Sequence, residues 1–175
     1  MTASRSRSLL LSLGLLAISA LSGCAGIGTQ FRPVAEPTEG ARARLRVIGG
    51  GAFIKAVPGK SCIDWSSPGA GTVIGGIVGS NGYRGRSLGM PDAPAKMDEA
   101  AELTVAAGQP FTLALVTGSE SSLSCFIAGS FVPEAGKDYE ARMQLDVRNK
   151  MCTMRLVELG ANYHPLPVQR ANSCD

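Results

Sequence analysis

The chain has 175 residues, of which 45% are hydrophobic and 18% are charged, and its formal net charge at pH 7 is +3. It contains one tryptophan, one histidine and no run of basic residues, so it lacks the clustered positive charge that nucleic-acid binding requires. We therefore set nucleic-acid binding aside, and the chain is long enough to bury a core without a metal ion or cofactor.

The first residues have the pattern of an export signal. Arg5 and Arg7 precede an apolar run from Leu9 to Leu21, and small residues follow it. The run is shorter than the roughly 20 residues that a membrane-spanning helix needs. A basic start, a short apolar centre and a small-residue end are typical of a secretory signal that is removed by cleavage. Without residues 1–23, the chain keeps 15 basic and 14 acidic residues.

The segment Leu21-Ser22-Gly23-Cys24 resembles the lipobox of bacterial lipoproteins. The resemblance implies cleavage before Cys24 and acylation of its sulfur. The protein would then carry a covalent lipid and no cofactor, and the lipid would attach it to a membrane. By the same resemblance, Ala25 in place of an aspartate implies the outer membrane, at its periplasmic face. Several acyl chains would make the attachment stable, whereas a single chain binds only marginally.

Residues 24–41 are predicted to form a flexible, lipidated tether. They contain Pro33, Pro37 and several glycines, without a periodic apolar pattern. The folded domain is predicted to occupy residues 42–175.

The domain begins with alternating residues. Arg42, Arg44 and Arg46 alternate with apolar residues, which predicts a half-buried strand with its arginines on the solvent face. A second strand is predicted over residues 53–57 and a third over residues 71–78.

The stretch from Gly79 to Glu102 is the least regular part of the domain. We expect a long loop with one helical turn over residues 97–103, and a solvated acidic patch formed by Asp98, Glu99 and Glu102. Because loops on a rigid scaffold often carry recognition, this loop is the predicted binding surface. Its candidate binding residues are Tyr83, Arg84, Arg86 and Met90.

The C-terminal half has the clearest strand patterns, over residues 110–117, 123–132, 139–147 and 151–159. In the third of these, apolar side chains from Tyr139 to Val147 alternate with polar ones. Short strands separated by turns, with almost no helical periodicity, favour an antiparallel sandwich or barrel. We expect an all-β, antiparallel β-sandwich of about seven strands.

Four cysteines remain besides Cys24, namely Cys62, Cys125, Cys152 and Cys174. An even number in an exported domain predicts two disulfides, with three possible connectivities. We favour Cys125–Cys152, at the same end of neighbouring strands, and Cys62–Cys174, which would hold the C-terminal tail. The spacing does not match a zinc site, and no metal site is expected.

The pattern from Cys125 through residues 131–140 to Cys152 resembles a hairpin in proteobacterial lipoproteins with small β-sandwich domains, as does Leu88-Gly89-Met90-Pro91. The resemblance spans residues 42–159. It implies a fold and an envelope location, and it carries no active site.

Gly85-Arg86-Ser87-Leu88-Gly89 matches the G-x-S-x-G motif of α/β hydrolases, and His164 follows later in the chain. The motif needs a strand before the serine and a helix after it, whereas Pro91 and Pro94 oppose such a helix. We therefore expect a non-enzymatic module that binds an envelope protein or serves as an accessory part. The alternatives are a small periplasmic serine hydrolase that uses Ser87 and His164, or an inhibitor of a periplasmic enzyme.

Overall fold

Two five-stranded sheets packed face to face make up the computed structural model, which describes residues 28–49, 53–75, 79–117, 125–146, 148–160 and 164–175. The strands are β1 (Arg42–Ile48), β2 (Phe53–Pro58), β3 (Gly71–Ile74), β4 (Ala100–Ala106), β5 (Phe111–Val116), β6 (Phe126–Phe131), β7 (Asp138–Asp146), β8 (Met151–Leu159), β9 (His164–Leu166) and β10 (Gln169–Arg170). The predicted signal segment 1–23, Cys24, Leu123, Val147 and residues 76–78 of the predicted third strand lie outside the described residues.

The front sheet has the strand order β4-β1-β7-β8-β9, and the back sheet has the order β10-β6-β5-β2-β3. Neighbouring strands are antiparallel except β1 and β7, which are parallel. The predicted all-β sandwich is therefore confirmed, and the described residues form ten strands in place of about seven. Within the described residues, no helix is both long and apolar enough to span a membrane.

The core lies between the sheets because apolar side chains alternate along the strands. In β7, Tyr139, Ala141 and Met143 are buried between the sheets, and Arg142 and Gln144 are exposed. Strands β1, β4 and β5 contribute Leu45, Leu103 and Leu113 to the same core, and none of these three has exposed surface.

Residues 28–41, which we call the N-terminal segment, close one edge of the sandwich. This edge is formed by β3 and β4, and we call it the N-terminal edge. Pro33 bridges to Thr72 of β3, and Val34 is fully buried. Further along, the Thr104 amide of β4 donates to Glu36 Oε1 at 2.5 Å. The folded part therefore starts before Arg42, and residues that we assigned to the tether pack onto the body.

Strands β9 and β10 close the opposite edge of the sandwich. They follow one another in the chain, yet β9 pairs with β8 of the front sheet and β10 with β6 of the back sheet. The chain thus crosses from one sheet to the other within a few residues, and we call this side the C-terminal edge.

Both favoured disulfides are confirmed. Cys62–Cys174 has a Cα–Cα distance of 5.1 Å and holds the C-terminal tail, as expected. Cys125–Cys152 has a Cα–Cα distance of 6.3 Å. Cys125 directly precedes β6 of the back sheet, whereas Cys152 lies in β8 of the front sheet. The expectation of neighbouring strands was therefore wrong, because this disulfide joins the two facing sheets.

Candidate functional site

The outer face of the front sheet carries a buried charge cluster centred on Arg46. The strand pattern placed this side chain in solvent, but it has no exposed surface. Its Nε donates to Glu102 Oε1 at 2.9 Å, and its Nη1 donates to Glu140 Oε2 at 3.2 Å. Glu102 is also fully buried, so its assignment to a solvated acidic patch was wrong.

The loop that follows β3 covers this cluster and explains its burial. Arg46 donates to the carbonyl oxygens of Met90, Pro91 and Asp92 at 3.1, 2.8 and 2.9 Å. Glu102 Oε2 accepts hydrogen bonds from the Leu88 and Met90 amides. A guanidinium has five N–H donors. Here two carboxylates balance its charge, and these carboxylates and three carbonyl oxygens accept its hydrogen bonds.

The carboxyl group of Glu102 is held ionised by these contacts. Burial alone would raise its pKa, but hydrogen bonds from the Leu88 amide, Arg46 and the Met90 amide outweigh burial. The pKa of Glu102 therefore lies below its usual value. The cluster is suited to fixing the loop on the sheet.

The four predicted binding residues of the loop contact the protein itself. Tyr83 donates its hydroxyl to the Val34 carbonyl at 2.7 Å, and the Arg86 guanidinium lies 4.0 Å from the centre of the Tyr83 ring. Arg84 donates to the Gly75 and Asp98 carbonyls. Met90 is buried against Val157, Leu159 and the half-buried Leu88. A binding role for this loop stays a prediction.

Arg86 also ties the loop to the N-terminal segment. Its Nη1 and Nη2 donate to the two carboxylate oxygens of Glu36 at 2.9 and 2.5 Å. Burial would raise the pKa of Glu36, but the hydrogen bonds from Arg86 and from the Thr104 amide outweigh it and lower the pKa. The loop, the N-terminal segment and β4 therefore form one connected structure.

The two candidate hydrolase residues lie on different elements, Ser87 in the loop after β3 and His164 at the start of β9. Ser87 Oγ is 3.3 Å from Glu102 Oε2 and accepts a hydrogen bond from the Gly89 amide at 3.2 Å. His164 is exposed on β9, and among the described residues it shares no hydrogen bond with Ser87. The G-x-S-x-G match lies in a loop, without the strand and helix that the hydrolase motif requires.

A groove of about 840 Å³ opens at the C-terminal edge, and sequence reasoning missed it. Its wall includes the Cys125–Cys152 disulfide, Phe126, Ile127, Met154 and Val168. Phe126 is 57% exposed. The one signal in the sequence was a large aromatic residue, Phe126, between Cys125 and Ile127 in the predicted strand over residues 123–132.

The part of the chain that the structure describes contains no group of three His, Cys, Asp or Glu side chains placed to hold a metal ion. Comparison of the chain with family models, with curated proteins and with solved structures gave no match. The function must therefore be inferred from the geometry and from the sequence pattern.

Proposed function

We propose that this protein is a lipid-anchored lipoprotein of the bacterial envelope, attached through Cys24 at the periplasmic face of the outer membrane. Its sandwich domain acts by binding a partner, without catalysis. The pairing of all four other cysteines carries this proposal.

The cysteine pairs support export. The Cα–Cα distances of 5.1 and 6.3 Å lie within the range that disulfides require. Disulfides persist in oxidising compartments and are rare in the cytosol. With Cys62, Cys125, Cys152 and Cys174 paired, Cys24 is the remaining cysteine, and it stands at the end of the apolar signal pattern. A lipid on this sulfur accounts for the fifth cysteine.

The groove at the C-terminal edge supports a binding role. Binding sites are commonly concave and mostly apolar, with a few polar groups that fix orientation. Here the apolar wall contains Phe126, while Arg170 and Asn172 add polar groups. Aromatic side chains and arginine are enriched at protein interfaces. We propose an envelope protein segment as the partner.

The anchor is tested by the intact mass of the protein purified from native envelopes. We expect an N-terminal Cys24 with a diacylglyceryl group, no free thiols, and partition into the detergent phase. Cys24→Ala should keep its leader and carry no lipid. A mature product that keeps its leader, or that partitions into water with an unmodified Cys24, contradicts the proposal.

The groove is tested by placing a photo-reactive phenylalanine analogue at position 126 and irradiating whole cells. We expect a crosslinked product of discrete mass. Val132 is a matched control, because it is 56% exposed and does not line the groove. A third variant at Arg84 tests the loop. Crosslinking at position 84 alone would move the binding surface to the loop, and crosslinking at neither position 84 nor 126 would contradict both sites.

A further inference from the structure

The chain is fixed to the body within a few residues of Cys24. Thr29 is fully buried, and its carbonyl accepts a hydrogen bond from the Thr72 hydroxyl of β3 at 2.8 Å. Its side chain accepts a hydrogen bond from Lys55 Nζ of β2 at 3.0 Å. Thr29 is therefore fixed to β2 and β3 of the back sheet, and the residues after it continue along the N-terminal edge.

The short connection limits how the domain can lie on a membrane, provided that Cys24 is lipidated as proposed above. Five residue steps separate Cys24 from Thr29, and at full extension they span at most about 18 Å. Five strands lie side by side from β3 to β10, which makes the sheet about 19 Å wide. Because Thr29 contacts β2 and β3, a lipid on Cys24 favours an orientation in which these two strands, and not β10, lie nearest to the bilayer.

The turn next to this attachment point has suitable chemistry for a lipid surface. Phe31 is 61% exposed, and the adjacent Arg32 is exposed as well. Arg32 Nε donates to the Ala70 carbonyl at 2.7 Å, which holds the turn on the body. Among the described residues, no carboxylate forms a salt bridge with Arg32. Aromatic and basic side chains together favour the interface of a bilayer with anionic headgroups.

We propose that the turn around Phe31 and Arg32 rests on the lipid surface, with the Phe31 ring at the boundary between headgroups and acyl chains. The N-terminal edge then faces the membrane. The groove beside Phe126 lies at the opposite edge and faces away from it, where it is open to a partner.

Tryptophan quenching by brominated lipids tests this orientation. The mature lipidated protein is reconstituted in vesicles of phosphatidylethanolamine and phosphatidylglycerol, with Trp65→Phe as the background. Phe31→Trp should lose emission when brominated lipid is present, whereas Phe126→Trp should keep it. Because Phe31 and Phe126 are 61% and 57% exposed, the two variants are closely matched. If Trp65→Phe perturbs the circular dichroism spectrum, Trp65 is kept and its own quenching is subtracted.

Each outcome bears on one of the two proposals. Equal quenching at both positions, or none at position 31, overturns the membrane orientation when the mass of the same sample shows the lipid. A sample whose Cys24 carries no lipid contradicts the proposed anchor.

Discussion

At the residue scale, one guanidinium connects the outer face of the front sheet to the loop above it. Arg46 has no exposed surface and contacts Glu102 and Glu140 together with three loop carbonyls. Two charges in a dry environment cost free energy unless they are paired and fully hydrogen-bonded. Removing the arginine would leave the buried Glu102 carboxylate without its salt-bridge partner, whereas Glu140 would keep its salt bridge to Arg142.

Arg46→Met should therefore lower the free energy of unfolding by about 3–5 kcal/mol, which is typical when one partner of a buried ion pair is removed. Arg44→Met is the matched control. Arg44 lies on the same face of β1 and pairs with Asp138, but its side chain is 41% exposed. Such a pair contributes about 1 kcal/mol or less. Urea unfolding under oxidising conditions measures the free energy of unfolding of both variants. An equal decrease in the two variants would contradict the role assigned to Arg46.

The same cluster predicts how stability depends on pH. The pKa of Glu102 is lowered in the folded protein, so its contribution to stability is fully present above the unfolded pKa of about 4.3. The contribution is lost as the pH falls through the folded pKa. We expect the free energy of unfolding to fall below about pH 4.3. Glu102→Gln should be less stable at pH 7 and should lose less stability on acidification. An unchanged acid dependence in this variant would contradict the assignment.

At the element scale, sequence pattern predicted the strands whose two faces differ in polarity. Strand β7 is the clearest example, since Tyr139, Ala141 and Met143 alternate with polar residues. Strand β4 was missed because its outer face is covered by the loop, so Ala100 and Glu102 are buried as well. The predicted helical turn over residues 97–103 is a 3-10 turn at Met97–Glu99, and β4 starts at the next residue.

The candidate site was less predictable than the strands. An arginine that alternates with apolar residues on a strand usually faces solvent, and nothing local shows that a loop 40 or more residues later will cover Arg46. The groove combines residues of β6, β8 and the C-terminal tail, which only the tertiary fold brings together. Strands β9 and β10 are three and two residues long, too short for a periodic pattern.

The two disulfides should contribute unequally, because they close loops of different length. Their sequence separations are 27 for Cys125–Cys152 and 112 for Cys62–Cys174. The chain-entropy model gives about 3.5 and about 4.8 kcal/mol, respectively. Replacing each pair by two alanines should therefore destabilise the Cys62–Cys174 variant more. Urea unfolding of the two double variants checks this, and the reverse order would contradict an entropic origin.

At the scale of the whole molecule, the sandwich has two different edges. The N-terminal edge is closed by the chain that leads to Cys24, and the C-terminal edge carries the groove. Because the first edge depends on residues before β1, the segment that would carry the proposed lipid anchor also takes part in the fold. Val34 shows this most directly, since it is fully buried and its amide donates to Thr72 of β3 at 2.9 Å.

A chain that begins at Arg42 should consequently be strand-rich but less stable than one that begins at Gly28. Loss of Val34 alone removes the burial of one side chain, about 1.5–3 kcal/mol, and loss of Glu36 leaves Arg86 without its carboxylate. In the longer chain, Val34→Ala should reproduce about 1.5 kcal/mol of the difference. Glu39→Ala, at an exposed position of the same segment, should change little. Circular dichroism and urea unfolding compare the four proteins, and equal stability of the two chain lengths would show that the segment contributes nothing to the fold.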